Sequence, residues 1–440
     1  MGTRRADAAF TYLGFSLEAD PVRVVASYQL GEHRFTEVLG LELVADGSDP
    51  ALLAAARWVA LLAGVSYYKT GAPRTIDLGP IATTAAERAF LAEFYTEGLA
   101  EFTYRNGLER VELEFLGPEA DPAPPVSTQP STGRALVPFG GGIDSIVTLE
   151  STLAAGSDAS LFICGRPGDR FAAIEAPAAV RGLPILRATR ELDPQLHRSA
   201  ELGFLNGHVP ITGVLSALAV LAAVASGHDR VVMSNEHSAS DPNLVHEGWA
   251  INHQWSKSAA FEQGFAAVLE ASLGPRPHFS SFLRDRSELW VAKRFAELAD
   301  YHLVFRSCNR AFTQDPARRA TTWCGVCDKC CFIDLICSPY LPASTLSAIF
   351  GGAEPLEQPE LAPVFERLVG LVPEPKPFEC VGDVTECRAA VTVAARRADR
   401  SETTLLQRLA GAVAVDEATI AALLQPMRSE ERSSGADELR

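Results

Sequence analysis

The sequence predicts an α/β protein: a doubly wound parallel sheet, preceded by an α+β domain and followed by a mostly helical region. Three observations carry this reading. Strand-like apolar runs at Leu136, 161–164, 183–186 and 230–233 alternate with helical stretches, notably 214–225, as parallel strands joined by crossover helices do. The first run (Ala135, Leu136, Val137, Phe139) stops at Gly140, Gly141 and Gly142, and Ile143, Ile146, Val147 and Leu149 then follow at helical spacing. Upstream, residues 118–133 (PEADPAPPVSTQPSTG) are rich in proline, serine and small residues, which marks an interdomain linker.

In chain order, residues 1–117 read as the α+β domain. The runs 24–28 and 35–39 flank Gly31, Glu32 and His33 as a hairpin. Ser48 and Asp49 are placed to cap a helix carrying Leu52, Leu53, Trp58, Leu61 and Leu62. Tyr67, Tyr68 and Lys69 come next, polar and aromatic where a plain core would be aliphatic; the local reading favours a turn packed on the helix. One further helix, from Phe90 to Phe102, is expected to stop at Asn106 and Gly107. Residues 134–345 form the sheet domain and 346–426 a helical region, in which 388–424 suits two helices, while 427–440 read as a disordered tail.

A chain of 440 residues with 47% apolar and 21% charged residues is long enough for a large core and is neither disordered nor fibrous. A net charge of −16 argues against nucleic acid as partner, because neutralising phosphates needs clustered basic residues. The apolar stretch 209–225 contains Pro210 and Gly213 and falls short of the ~20 residues of a membrane span, so a helix buried against the sheet is expected. Residues 1–10 have no apolar core of signal-peptide type. With the clustering of cysteines, this leads to the expectation of a protein in the reducing cytoplasm.

Strand, glycine turn and helix form an arrangement in which bare N–H groups and a helix N-terminus face an anion. The plainer reading of the same residues is a left-handed turn with Asp144 or Ser145 as helix cap. In a doubly wound sheet ligands sit beyond the carboxyl ends of the strands, so the glycine turn, the segment Ser234, Asn235, Glu236, His237 and the segment Cys164, Gly165, Arg166 should meet at one crevice. Residues 235–262 crowd together polar side chains with little periodicity, among them Asn252, His253, Gln254, Trp255 and Lys257, and read as a substrate-binding segment. Five of the 39 basic residues are lysine (Lys69, Lys257, Lys293, Lys329 and Lys376), which draws attention to the sites where lysine is kept. Cys308 together with Cys324, Cys327 and Cys330 has the spacing of four thiolates closing on one tetrahedral zinc, structural because no position is left open; Cys331 competes with Cys330 as fourth ligand.

The glycine turn resembles the SGGxDS loop of PP-loop ATP pyrophosphatases, and with the cysteine quartet it resembles enzymes such as 7-cyano-7-deazaguanine synthase. The segments 64–69 (GVSYYK), 104–108 (YRNGL), 140–145, 234–240 (SNEHSAS), 252–257 (NHQWSK), 307–310 (SCNR), 323–330 and 376–382 (KPFECVG) together resemble the UDP-N-acetylmuramoyl-L-alanyl-L-glutamate epimerase family, in order, from about residue 55 to 425. The resemblance implies a PP-loop (HUP-like) fold. It also implies ATP-dependent inversion of the terminal glutamate of UDP-MurNAc-L-Ala-L-Glu through an acyl-adenylate, with AMP and diphosphate released, in peptidoglycan precursor synthesis.

It further implies that Asp144 holds Mg2+ and that Gly140, Gly141, Gly142 and Ser145 hold the pyrophosphate of ATP. Asn235 and Glu236 then bind magnesium or nucleotide, and Tyr67, Tyr68, Lys69 and Arg105, with Asn252, Gln254 and Trp255, bind the substrate. Lys257 and His253 lead as acid/base groups, tuned toward neutral pH by burial, with His237 third. A two-thiol arrangement, Cys380 with Cys387 or Cys164, ranks below them because nothing in the sequence visibly lowers a thiol pKa. Two departures stand out: Gly140 replaces a serine, and Ile143 stands where these loops often carry lysine, a lost positive charge that an arginine would have to supply. The rival readings are another PP-loop ligase, making an amide, a nitrile or a thiolated base, and a non-catalytic nucleotide-binding module. Oligomeric state is not legible.

Overall fold

The computed structural model describes residues 5–126, 131–313, 315–374 and 376–427. Its strands, in chain order, are β1 (Phe10–Ala19), β2 (Val22–Leu30), β3 (His33–Leu41), β4 (Thr75–Asp77), β5 (Glu114–Leu116) and β6 (Arg134–Pro138). There follow β7 (Asp158–Gly165), β8 (Ile185–Glu191), β9 (Arg230–Met233), β10 (Leu244–His246), β11 (Trp249–Ile251) and β12 (His278–Ser281). Ten of them share one sheet in the order β12-β9-β6-β7-β8-β3-β2-β1-β4-β5, and β10 pairs with β11 apart from it.

Strands β6, β7, β8, β9 and β12 are mutually parallel. Counted in chain order they lie 5-4-1-2-3, so the winding reverses between β6 and β9, and the crevice of a doubly wound sheet opens at that point. The consecutive buried residues Ala135, Leu136 and Val137 reflect a strand covered on both faces. Leu136 joins the core beneath the helices Pro50–Ala63, Ala85–Thr96, Ile211–Ser226 and Ala259–Leu273. Val137, pointing the other way, joins the core beneath Ile143–Ala154, Glu288–Ala296, Asp328–Cys337 and the later helices.

The hairpin is present as β2 and β3 in antiparallel register, and β2 buries Val22, Val24, Ala26, Tyr28 and Leu30 in strict alternation. β3 then pairs antiparallel with β8, so the N-terminal strands extend the same sheet as the parallel ones. The proline-rich stretch breaks the periodicity of the chain but not its sheet. Its described parts are pinned, with the Val126 N–H on the Ser272 carbonyl and Ser131 Oγ and Gly133 N on Asp229 Oδ2. Residues 127–130 lie outside the described residues, as does the expected tail from 428 onward.

Asp49 caps the helix Pro50–Ala63 through the Ala51 N–H at 2.8 Å. The continuous stretch Pro50–Tyr68 is long and apolar enough to cross a membrane, yet 83% of its apolar window is buried in the fold. The helix expected from Phe90 to Phe102 is two, Ala85–Thr96 and Ala100–Arg105, because the chain turns at Gly98, where a Cβ would stand 2.3 Å from the Phe94 carbonyl oxygen. Likewise 388–424 holds parts of three helices, since Asp416 starts a new one by accepting from the Thr419 N–H at 2.7 Å.

Within the helical region the Arg400 guanidinium pairs with Glu354, and both side chains are wholly inaccessible. Removing one member of such a pair strands the other charge in the core. Glu354→Ala is therefore expected to lower unfolding stability by about 3–5 kcal/mol in urea titrations, and a loss under about 1 kcal/mol would contradict this account.

Candidate functional site

The glycine turn lies at the carboxyl end of β6. The helix Ile143–Ala154 starts with Gly142 as its N-cap and no side chain capping it, so neither Asp144 nor Ser145 plays that part. Ser145 Oγ instead donates to the Gly142 carbonyl at 3.0 Å. Gly141 has φ +75°, and a Cβ there would stand 2.6 Å from the Ala173 carbonyl oxygen, so only glycine fits. A Cβ on Gly140 would meet open space, so the missing serine leaves that position accessible.

Around this turn three carboxylates converge. An oxygen each of Asp144, Glu236 and Glu288 lies within 4.8 Å of the others. Asp144 Oδ1 and Glu288 Oε2 are buried with no hydrogen-bond partner among the described residues. Burial, then the charge of Glu236, push the Asp144 pKa up to about 7, against the pull of Lys329 and Lys257. Burial and the two neighbouring carboxylates likewise raise Glu288. Hard oxygens with unsatisfied lone pairs form the donor set of a divalent cation. Glu288 was not visible in the sequence as part of this group: it follows the Ser287 cap in the first turn of Glu288–Ala296, where an acidic residue is unremarkable.

A second group lies beside it. Lys257 Nζ donates to Cys380 Sγ at 3.2 Å. His253 acts on this sulfur through its charge and stands 2.5 Å through Nδ1 from Glu101 Oε2. Burial raises the Cys380 pKa, but Lys257, His253 and Lys329 outweigh it and bring it down to about 6. The reverse holds for the bases: burial opposes the His253 imidazolium, but Cys380 and Glu101 raise its pKa to about 9. Burial also opposes the Lys257 ammonium, while Cys380, Glu236 and Asp144 hold its pKa above the usual lysine range. The expectation that burial tunes Lys257 and His253 toward neutral pH runs against these shifts, since the anions facing them favour the protonated forms.

The Cys380 segment is anchored from several elements. Lys329 Nζ bonds to its carbonyl oxygen, and Asn309 Nδ2 donates to Glu379 Oε1 at 2.9 Å. Asn243 Nδ2 donates to the Pro377 carbonyl at 2.8 Å, while its Oδ1 accepts the His253 N–H at 2.8 Å. The Arg105 guanidinium stacks over Phe378 at 4.6 Å and pairs with Glu101 at 2.6 Å. Glu101, Lys329 and the charged surroundings of Cys380 escape sequence reading, because these groups meet across 51 to 152 residues of chain. The rarity of lysine was the one signal that touched Lys329.

Other candidates are placed differently. Tyr67 and Tyr68 are fully buried among Phe10, Tyr28, Phe35 and Tyr95, which withdraws them from substrate binding; an aromatic core explains why this turn is not aliphatic. Trp255 packs on Phe94 and Phe261, and Asn252 ties its own loop to the Ala239 carbonyl and the Gln254 N–H, so both serve structure. Gln254 Oε1 is buried without a partner. Lys69 Nζ donates to Asn206 Oδ1 at 2.7 Å, and burial, with Arg190 nearby, lowers its pKa to about 8. Asn235 Nδ2 donates to Ser281 Oγ at 3.1 Å, and Glu236 is buried at the end of β9. His237 is half-buried, with its N–H on the Arg286 carbonyl, while the groups acting on Cys380 are Lys257, His253 and Lys329. Cys164 lies near Arg190 and Glu37, its pKa pushed up to about 12 by burial, and burial also raises Cys387 among Asp383 and Glu386. The structure therefore does not pair either thiol with Cys380.

The sulfurs of Cys308, Cys324, Cys327 and Cys330 lie within 4.8 Å of one another, and no cysteine is in a disulfide. The Cys327–Cys330 and Cys324–Cys330 separations of 3.4 and 3.7 Å suit a tetrahedron with metal–sulfur bonds of about 2.3 Å, whose edge is about 3.8 Å. The four thiols are thus able to chelate a structural metal such as Zn2+. Cys331 is buried in the neighbouring core instead, so Cys330 is the fourth member of the set.

Comparison with known proteins adds a second line. Residues 1–282 match the MurL N-terminal domain and residues 304–423 the MurL C-terminal domain. The chain is 40% identical over 420 residues to a UDP-N-acetyl-alpha-D-muramoyl-L-alanyl-L-glutamate epimerase of Salinispora tropica, covering 93% of this chain and 90% of that protein. It is 40% identical over 423 residues to the protein of that name from Micromonospora sp., covering 93% and 92%. With the one from Xanthomonas oryzae pv. oryzae it shares 39% over 351 residues, covering 79% and 76%.

Proposed function

Because the chain belongs to the MurL family, we propose that it is an epimerase that inverts the terminal L-glutamate of UDP-MurNAc-L-Ala-L-Glu to D-glutamate at the expense of ATP. The α-hydrogen of a free carboxylate is scarcely acidic, since its removal places negative charge beside negative charge. Joining the carboxylate to AMP removes that charge and gives the carbanion an enolate form, so the hydrogen becomes removable; water then frees AMP and the inverted product. A substrate carrying UDP, with ATP as second substrate, puts the reaction in the cytoplasm.

The observation that carries this reading is the trio of Asp144, Glu236 and Glu288, with two orphaned buried oxygens, at the mouth of an uncapped glycine turn. These carboxylates fit Mg2+, which when bound offsets the repulsion between a carboxylate and the phosphates of ATP. Gly141 and Gly142, with the first N–H groups of Ile143–Ala154, are suited to hold pyrophosphate; Gly140 and Ser145 border them, and Asn235 stands beside Glu236. Lys257 and Lys329, both acting on Asp144, supply the positive charge that Ile143 does not. Lys69, Arg105 and Gln254 remain as contacts for the long substrate, and His237 as a polar neighbour of the nucleotide.

The test is incubation with UDP-MurNAc-L-Ala-L-Glu and Mg-ATP without any amine or sulfur donor, followed by acid hydrolysis and chiral analysis. D-Glutamate with AMP and pyrophosphate is expected, and only L-glutamate when ATP is withheld. Inversion without ATP overturns the adenylate reading. AMP formation that depends on an added amine favours a PP-loop ligase.

A further inference from the structure

Cys380 has no part in binding ATP or metal as described, yet its sulfur takes a hydrogen bond from a lysine and its segment is held from several elements. Its segment is pinned by Asn243, Asn309 and Lys329. Its sulfur accepts from Lys257 at 3.2 Å and feels the charge of His253, whose Nδ1 is fixed by Glu101 at 2.5 Å. A thiol kept only for packing needs no cation, and Cys387, Cys337 and Cys331 are packed in the neighbouring apolar core. An ammonium on the sulfur, with two more cations close by, stabilises a thiolate, a base strong enough for an activated α-hydrogen. Cys380 is half-buried as a residue, and its charge is felt at Asp144 by the glycine turn.

We propose that Cys380 is the proton-transfer group of the epimerisation, its sulfur taking the hydrogen from the glutamyl Cα while Lys257 and the Glu101–His253 pair hold it in place. This rests on the adenylate reading above. The Cα–H bond breaks, an S–H bond forms, and the electron pair stays on the substrate as the enolate of the acyl-adenylate. A proton delivered to the opposite face, from a protonated group or water there, restores the Cα–H bond with inverted configuration, and the thiol returns its proton to solvent. Lys257 and His253 are positioning residues in this scheme. The charged groups facing the sulfur are Lys257, His253 and Lys329, with Asp144, Glu236 and, through His253, Glu101 as the acidic counterweights.

The experiment separates activation from proton transfer. With UDP-MurNAc-L-Ala-L-Glu, Cys380→Ala and Cys380→Ser are compared with wild type for ATP–pyrophosphate exchange and for deuterium uptake at Cα in heavy water. Deuterium uptake and inversion are expected to fall at least about 100-fold, and pyrophosphate exchange far less. Inversion by Cys380→Ala within about tenfold of wild type overturns the assignment, as does trapping of the substrate as an acyl group on Cys380. Should both variants lose exchange as well, the wild-type chain still decides. Iodoacetamide alkylation mapped to Cys380 is expected to abolish deuterium uptake and to be blocked by substrate. Alkylation of Cys380 that leaves uptake intact overturns the proposal. Failure of the adenylate reading is distinct: wild type then shows no ATP–pyrophosphate exchange.

Discussion

Asp144→Asn is expected to lose at least about 100-fold in ATP–pyrophosphate exchange and in inversion, while its metal-free form is at least as stable as wild type above pH 7. The two effects have one origin. Asparagine keeps the volume but removes one of three charges crowded with Glu236 and Glu288. For function, that charge is what holds a cation against the phosphates, and groups stabilising transferred charge are typically worth about 10²–10³ in rate. For stability, burial and Glu236 raise the Asp144 pKa from 3.8 to about 7. A carboxyl with a raised folded-state pKa binds its proton more tightly when folded, so it destabilises the fold as pH rises through that interval, fully so above about 7. The stability advantage of the asparagine variant should accordingly shrink as pH falls toward 4. Thermal unfolding against pH, beside exchange assays at saturating Mg-ATP, measures both. A variant that is inactive and less stable at pH 8 would show that Asp144 serves the fold.

Cys330→Ser is expected to abolish stoichiometric zinc and to lower stability by at least about 3 kcal/mol, whereas Cys331→Ser keeps its zinc. A structural metal binds the folded state alone, so its binding free energy is folding free energy, and apparent values reach about 10–16 kcal/mol in small zinc peptides. A larger core shares the load here, which sets the lower figure. Elemental analysis of the two variants and urea titration read the two outcomes. Equal zinc loss in both would put Cys331 among the ligands. The quartet also reaches the reaction site, since Lys329 lies between Cys327 and Cys330 and bonds to the Cys380 carbonyl. Chelation should therefore slow Cα hydrogen exchange as well as loosen the fold.

Local chemistry determined much of this protein. Alternation in β2 and the glycine stop after β6 need no distant partner to be read, because side-chain period and backbone sterics act within a few residues. The cysteine quartet is nearly as local: three of its members lie within seven residues, and tetrahedral thiolate geometry admits little else.

What tertiary structure alone decided is which neighbour each ionisable group meets. Glu101 and His253 are 152 residues apart, Lys257 and Cys380 are 123 apart, and Glu288 joins Asp144 across the switch point of the sheet. No periodicity records such meetings. A pKa is set by burial and by charges within a few ångströms, so Cys380 read along the chain is one thiol among nine and read in the fold is a thiol facing two lysines and a histidine. Tyr67 and Tyr68 show the converse: the local reading of a turn packed on the helix agrees with their burial in an aromatic core, against the binding role the resemblance implies, since a hydroxyl can be buried wherever a backbone group bonds to it.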